Sequence, residues 1–517
     1  MFPEAKTMAT ETELKLSLDP EALRRVGRLS VVRRHAQDHG SRVHLTNTYY
    51  DTPDQRLAAM GMALRIRRAE NRWIQTVKTV GETCAGMHNR NEWEWEVSEN
   101  ALNLECCDAE PEVAEAFTDP ALRAALQPLF TTDFWRTTWE LVFPDGSHIE
   151  LVADHGEVSA DGRSTPICEL ELEIKDGSLQ RLYEVAHALA EVLPLHLENT
   201  SKSARGYALL EPPSPPVPHK AGAFELQPGE TTEAAFQAII QHCLEHLHTN
   251  SAVVTHGEDP EGIHQMRVAT RRLRSCLGLF RPLIPRTASD GVAAEIRWLS
   301  GELGLARDWD VFIDETLNAL IRYFPDHAAL NTLLTATATA RAQAYQTAQA
   351  AVHSPRYTRL LLGIGVWYTR RDWRDPMGAE RIRDLERPVE WFAANLLARR
   401  HTRVYKWGRD FLRLSNEGRH RLRILCKRLR YAGDFFAELY PDSGVRDYLR
   451  SVAELQDVLG SLNDSVVARR LLTELATAPD DPAAHLVLGW KAAMTEQHLT
   501  HFESAWATFC DQPRFWE

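Results

Sequence analysis

Residues 10–18 read Thr-Glu-Thr-Glu-Leu-Lys-Leu-Ser-Leu, and every second position from Glu11 to Lys15 is charged. The period of two predicts a β-strand with Glu11, Glu13 and Lys15 on one face and Thr12, Leu14 and Leu16 on the other. One such strand is ordinary, because a half-buried antiparallel sheet turns its polar face to water. The pattern recurs, however. Arg65 and Arg67 share a face in ALRIR, and Lys78 stands in QTVKT. Arg90, Glu92, Glu94 and Glu96 alternate with Trp93 and Trp95, and Glu150 shares a face with Asp154. Glu169, Glu171, Glu173 and Lys175 alternate with Leu170, Leu172 and Ile174.

About eight strand-like segments are separated by turn signals, with helical patterns around 19–32, 111–126 and 179–193. Faces this dense in Glu and Arg, repeated over six strands, predict a sheet closed on itself with the charged side inward. Like charges so gathered are costly unless cations, metal ions and an anionic ligand neutralise them. Carboxylates suit hard divalent cations, while Arg and Lys suit phosphate oxygens. The expected ligand is therefore a metal–polyphosphate complex.

Glu11-x-Glu13-x-Lys15, followed by YYDT, LRIR, a lysine-bearing strand and ELELEIK, resembles the CYTH family over residues 8–210. That family comprises triphosphate tunnel enzymes: inorganic triphosphatases, thiamine triphosphatases and class IV adenylate cyclases. The resemblance implies a closed eight-stranded antiparallel tunnel. It implies Mg²⁺ or Mn²⁺ ligands among Glu11, Glu13, Glu169 and Glu171, with Glu173 and Asp154 as further candidates. Arg65, Arg67, Lys78, Arg90 and Arg136 are expected to clamp the triphosphate, joined by Lys175, Lys202 and Arg205. Lys15 is the candidate catalytic residue, either binding phosphate or, with a lowered pKa, activating water.

Residues 211–230 carry six prolines and no hydrophobic periodicity, predicting a stiff linker between a tunnel domain at 1–210 and a helical domain at 231–512. The overall class is α+β followed by all-α. The net charge of −13 resides before the linker, and residues 212–517 are neutral, so any basic patch there arises by local sorting. The helical half repeats itself: GIHQMRVATRRLRSCLGLF aligns with GRHRLRILCKRLRYAGDFF at an offset that also superposes Asp308 on Asp464. Two repeats of about four helices are expected, near 231–370 and 380–512.

His264, Arg267, Arg271 and Arg274 are spaced 3, 4, 3, and His420, Arg423, Lys427 and Arg430 repeat that spacing. On a helix each set is one stripe, and paired basic stripes favour a polyanion groove. Arg403, Lys406 and Arg409 are expected to extend that groove. These residues resemble the CHAD domain, a conserved-histidine helical domain implicated in binding inorganic polyphosphate. Asp310 has Val466 at the matching place, and helix N-capping or pairing with a stripe arginine are both open for it.

The expected protein is a metal-dependent inorganic triphosphatase with a polyphosphate-binding module. Its enzymatic rivals are a thiamine triphosphatase and an adenylate cyclase, and its non-enzymatic rival is a polyphosphate scaffold. Eight scattered cysteines, no CxxC, no signal peptide and no apolar run near 20 residues predict a reduced cytoplasm without a membrane anchor. Nucleic acid is not expected as a partner, because the stripes lack interleaved exposed aromatics for stacking.

Overall fold

The computed structural model describes residues 6–79, 81–84, 86–222, 224–257, 259–440, 444–478 and 480–517. Among the described residues, ten strands lie in the first 200 positions: β1 (Lys6–Ser17), β2 (Ser41–Asp51), β3 (Met62–Ala69), β4 (Arg72–Thr79), β5 (Glu82–Cys84), β6 (Met87–Val97), β7 (Gln127–Val142), β8 (His148–Ala160), β9 (Arg163–Asp176) and β10 (His196–Leu197). Their order is β10-β1-β9-β8-β7-β2-β3-β4-β6-β5, and a β1–β6 pairing closes the eight long strands into an antiparallel barrel. Closure pairs the edges that strands this long would otherwise leave open to other chains.

The alternation sorts as the charges require. Leu14, Leu16, Leu170 and Leu172 point outward into a buried cluster with Leu182, Val185, Ala186 and Leu189 of the helix Leu179–Ala190. On the far side, Trp93, Trp95, Val77 and Leu64 pack with Val113, Phe117 and Leu122. The charged partners of these alternating residues face the lumen. One stretch of the lumen is apolar: Leu45, Tyr49, Phe130, Phe134, Val158 and Ile167 form a cluster against Tyr207, Leu209 and Leu210 of the helix Lys202–Leu210. Gly206 makes that seating possible, since a Cβ there would come 2.1 Å from the Phe130 ring.

Two expected helices are broken. The pattern at 19–32 becomes the short turns Pro20–Leu23, Val26–Arg28 and Ser30–Arg33, interrupted where Leu29 is extended at φ −68°, ψ 143°. The pattern at 111–126 stops at Asp119, which caps a fresh helix starting on Pro120.

Residues after the linker are helical. The repeat is visible in the caps: Asp259 accepts from Glu261 N at the start of the helix Pro260–Leu279, and Ser415 accepts from Gly418 N at the start of Asn416–Phe436. The chain forms two compact units, one of residues 1–215 with 353–370 and the other of 216–352 with 371–517. The first unit thus includes the helix Pro355–Arg370, which arises in the middle of the helical half. It lies on Leu179–Ala190, where a Cβ at Gly365 would fall 2.4 Å from the Tyr183 ring. Leu362 is fully buried in the same cluster as Leu14, Leu16, Leu170 and Leu172, and Arg370 Nε is 2.6 Å from Glu184. His353 stacks on His196 of β10, with ring centroids 4.5 Å apart.

Candidate active site

Strand register decides which charges meet. Across β1–β6, Glu11 faces Arg90, and across β1–β9, Lys15 faces Glu171. Asp154 of β8 stands between Arg136 of β7 and Glu169 of β9. Lys78 faces Glu92 across β4–β6, and Arg65 and Arg67 come from β3 beside Tyr49 and Asn47 of β2. Of these side chains, Glu11, Lys15, Tyr49, Arg65, Arg67, Lys78, Arg90, Arg136 and Glu171 line a cavity of about 390 Å³ that also takes in Asn199, Ser201, Lys202 and Ser203, while Asp154 and Glu169 are buried behind Glu171 and Lys202.

The cations and carboxylates form one network. Lys15 Nζ lies 2.5 Å from Glu171 and 3.2 Å from Glu13. Burial alone would push the Lys15 ammonium down, but Glu13 and Glu171 outweigh it and hold its pKa above the usual range. Arg136 forks onto Asp154 at 2.8 and 2.6 Å and reaches Glu171 at 2.7 Å. Lys202 touches Glu169 and lies 2.7 Å from Asp154 and 3.0 Å from Glu171. Arg205 pairs with Glu169. At the other side, Glu11 accepts from Lys78 at 2.8 Å and Arg90 at 3.0 Å, and Arg90 also binds Glu13. Burial would raise the Glu11 carboxyl, yet Lys78 and Arg90 hold it well below the carboxylate range. Arg67 is the contrary case: burial, then Arg65 and Arg136, pull it down to about 10, so it stands among cations in need of an anion. Buried and without a hydrogen-bond partner, Arg65 Nε makes the same demand.

Asp154, Glu169 and Glu171 are buried, and each offers an oxygen within 4.8 Å of the others. Glu11 and Glu13 stand apart from this trio, linked to it through Lys15. Glu173 and Lys175 pair with each other at 2.7 Å, near Glu150 and outside the cavity lining. Burial raises the Glu173 carboxyl to about 7.

Among the lining residues that escaped the sequence reading are His88 and Tyr49. His88 is two residues before Arg90 on the same alternation, so the period of two could have found it; it is buried, and its Nε2 lies 3.2 Å from the Glu198 carbonyl. Asn199 accepts from Gly86 N at 2.8 Å, so the segment after β10 is fastened across the barrel seam. Burial, with Lys15 and Arg90 nearby, lowers His88 to about 3. Between pH 3 and 6.5 the unfolded chain binds this proton and the folded chain does not, so stability falls as pH drops through that window. The His88→Gln variant is expected to show a shallower loss of melting temperature between pH 6.5 and 4; an unchanged profile would refute the assignment.

In the helical half the two stripes approach one another. Arg271 stacks over Tyr431 at 5.7 Å, and Lys427 is pushed down to about 8 by burial and by Arg423 and Arg271. Among the described residues no carboxylate lies within 4 Å of Arg271, Arg423 or Lys427, and Arg423 Nε is buried without a partner. Asp308 reaches Arg267 at 3.9 Å and Arg470 at 2.5 Å. Asp310 takes neither expected role. It sits inside the helix Gly304–Phe312, buried, and accepts from Arg341 Nε at 2.6 Å and Tyr345 OH at 2.8 Å, so it ties that helix to Ala328–Val352.

The family comparisons fall on these two constellations. A CYTH domain model matches residues 9–207, and a CHAD domain model matches residues 238–473. The chain joins a CYTH domain to a CHAD domain. It is similar to an inorganic triphosphatase of Haemophilus influenzae, 33% identical over 208 residues, which are 39% of this chain and 55% of that protein. It is similar to an uncharacterized protein of Mycobacterium tuberculosis, 28% identical over 339 residues, 64% of this chain and 61% of that one. A crystal structure of the CHAD domain from the plant Ricinus communis shares 34% identity over 58% of this chain and 99% of its own, with a TM-score of 0.49. The chain thus spans under two thirds of the curated relatives named here.

The carboxylate trio of the CYTH domain fits a divalent cation by donor chemistry. All three donors are anionic oxygens, which suit hard ions such as Mg²⁺ or Mn²⁺ and disfavour soft metals. Lys202 and Arg205 occupy the same oxygens here, so an arriving ion would compete with them and free their donors for phosphate. No helix among the described residues is long and apolar enough to cross a membrane.

Proposed function

We propose that the CYTH domain hydrolyses inorganic triphosphate to pyrophosphate and phosphate with Mg²⁺ or Mn²⁺, and that the CHAD domain binds inorganic polyphosphate. The observation that carries the first part is the joint lining of one cavity by Lys15, Arg65, Arg67, Lys78, Arg90 and Arg136, with Glu171 of the carboxylate trio in the same wall. Phosphoryl transfer asks the protein for in-line positioning and charge neutralisation rather than covalent chemistry. Arg65, Arg67 and Arg136 supply guanidinium forks that match phosphate oxygens. Lys15, kept charged by Glu13 and Glu171, donates to phosphate rather than withdrawing a proton from water. Asp154, Glu169 and Glu171 would hold the metal, which supplies charge neutralisation on the phosphates. The likeness to the Haemophilus influenzae inorganic triphosphatase supports the same reading.

Purified full chain incubated with tripolyphosphate, ATP and thiamine triphosphate distinguishes the rivals. Orthophosphate released from tripolyphosphate at the highest kcat/KM is expected. Cyclic AMP from ATP would make it a cyclase, preferred turnover of thiamine triphosphate would make it a thiamine triphosphatase, and no turnover of any would leave a scaffold.

Polyphosphate binding rests on the unpaired cations Arg271, Arg423 and Lys427. Replacing these and Arg267 by Ala is expected to weaken polyphosphate binding by tenfold or more, on the order of that expected from losing several phosphate contacts, and to flatten its salt dependence. In the unmodified chain, binding weakens as pH rises through about 8, where Lys427 loses its proton. Binding that is unchanged in the variant removes the groove from consideration.

A further inference from the structure

The basic charge of residues 399–428 does not all belong to the stripe. Arg421 and Arg428 lie on a different side of Asn416–Phe436 from Arg423 and Lys427, roughly 130° around the helix at 3.6 residues per turn. There they meet the antiparallel neighbour Val389–Gly408: Arg421 covers the Trp407 ring at 4.8 Å, and Arg400 lies near both Arg428 and Arg403. Arg399, Arg403, Lys406, Arg421 and Arg428 are exposed. Among the described residues, none of them, nor Arg400, has a carboxylate within 4 Å, although the helical half is neutral overall. Burial and the two neighbouring arginines bring Arg400 down to about 10. A solvated helix face ordinarily mixes signs at i, i+4 spacing; here one sign covers two packed helices.

The composition of this face says what it fits. It is almost all arginine, whose planar guanidinium both forks onto phosphate and stacks on rings. It carries an indole, Trp407, half-buried and already covered on one side by the Arg421 guanidinium. A bare phosphate chain has no flat surface to lay against such planes; a nucleobase has. We infer that the outer face formed by Val389–Gly408 and Asn416–Phe436 binds single-stranded RNA, with Arg399, Arg403, Lys406, Arg421 and Arg428 on the phosphates and the Arg421–Trp407 stack receiving a base. This site is separate from the polyphosphate groove.

Fluorescence anisotropy of the full chain with a labelled oligouridylate of about 15 nucleotides, and separately with labelled polyphosphate, tests it at about 50–200 mM salt, where single-strand binding is salt-sensitive. Two variants are compared, Arg403→Glu with Arg421→Glu, and Arg267→Ala with Arg423→Ala, each checked for an unchanged melting temperature. The first is expected to weaken RNA binding by about tenfold or more, lower its salt slope by roughly 0.7 per lost phosphate contact, and leave polyphosphate binding in place. Trp407→Ala is expected to weaken RNA binding several-fold with the salt slope unchanged, because it removes stacking and no charge. No RNA binding at the lowest salt, or RNA binding untouched by the first variant, overturns the inference. Loss of polyphosphate binding alone in the first variant also overturns it, by making the face an extension of the polyphosphate groove.

Discussion

Glu169→Gln is expected to lower kcat for tripolyphosphate by about 10²–10³-fold while leaving the fold intact. Glu169 is fully buried, and its oxygens meet Lys202, Arg205 and the other two carboxylates of the trio. The amide is isosteric, so packing is preserved, but one anionic donor to a divalent ion is lost. The loss of several kcal/mol of charge stabilisation at a metal site corresponds to two or three decades of rate at about 1.4 kcal/mol per decade. Lys202 keeps Asp154 and Glu171 as partners, so the melting temperature should move little. Raising Mg²⁺ or Mn²⁺ should recover part of the rate, because the defect lies in affinity for the ion. A variant as active as the parent would mean that the trio serves only as counter-charge to Lys202 and Arg205.

The second large effect falls on stability. In Lys202→Met, three buried carboxylates lose the ammonium that lies within 3.0 Å of each. Breaking a buried ion pair by removing one partner typically costs about 3–5 kcal/mol, since the remaining charge is left uncompensated. Arg136 and Arg205 still reach the trio, so the lower end of that range is expected in the presence of a chelator. Adding Mg²⁺ should then raise the variant's melting temperature more than the parent's, because in the parent the ion must displace Lys202. An ion at one hundred times its dissociation constant stabilises by about 2.7 kcal/mol, enough to restore most of the loss. Melting curves that ignore Mg²⁺ in both proteins would deny the trio a metal.

The closed barrel was readable from residues because inward charge and outward Leu or Trp alternate with a period of two over whole strands. Which carboxylates gather was not, because that depends on register. Glu171 lands opposite Lys15 and Glu169 opposite Asp154, whereas Glu173, two residues further on the same face, is paired away with Lys175. Asp310 illustrates a different limit. Its partners Arg341 and Tyr345 come from a helix about 30 residues later, and nothing in the local pattern of residues 303–312 announces them. The broken helices at 19–32 and 111–126 kept a helical pattern of apolar residues, but extended Leu29 and the Asp119-Pro120 cap divide it.

The helix Pro355–Arg370 sets a timetable for biogenesis. All eight strands of the barrel, and the two short strands beside them, have been synthesised by residue 197, yet the helix that buries Leu362 against the outer wall behind Glu13, Lys15 and Glu171 is made only when the ribosome passes residue 370. At about 5–20 residues per second, that interval lasts roughly 10–30 s. Until then Tyr183 and Glu184 of Leu179–Ala190 lack the partners that Gly365 and Arg370 give them, so a chaperone or a premature partner meets a half-covered wall. A chain released at the proline-rich linker would never leave that state.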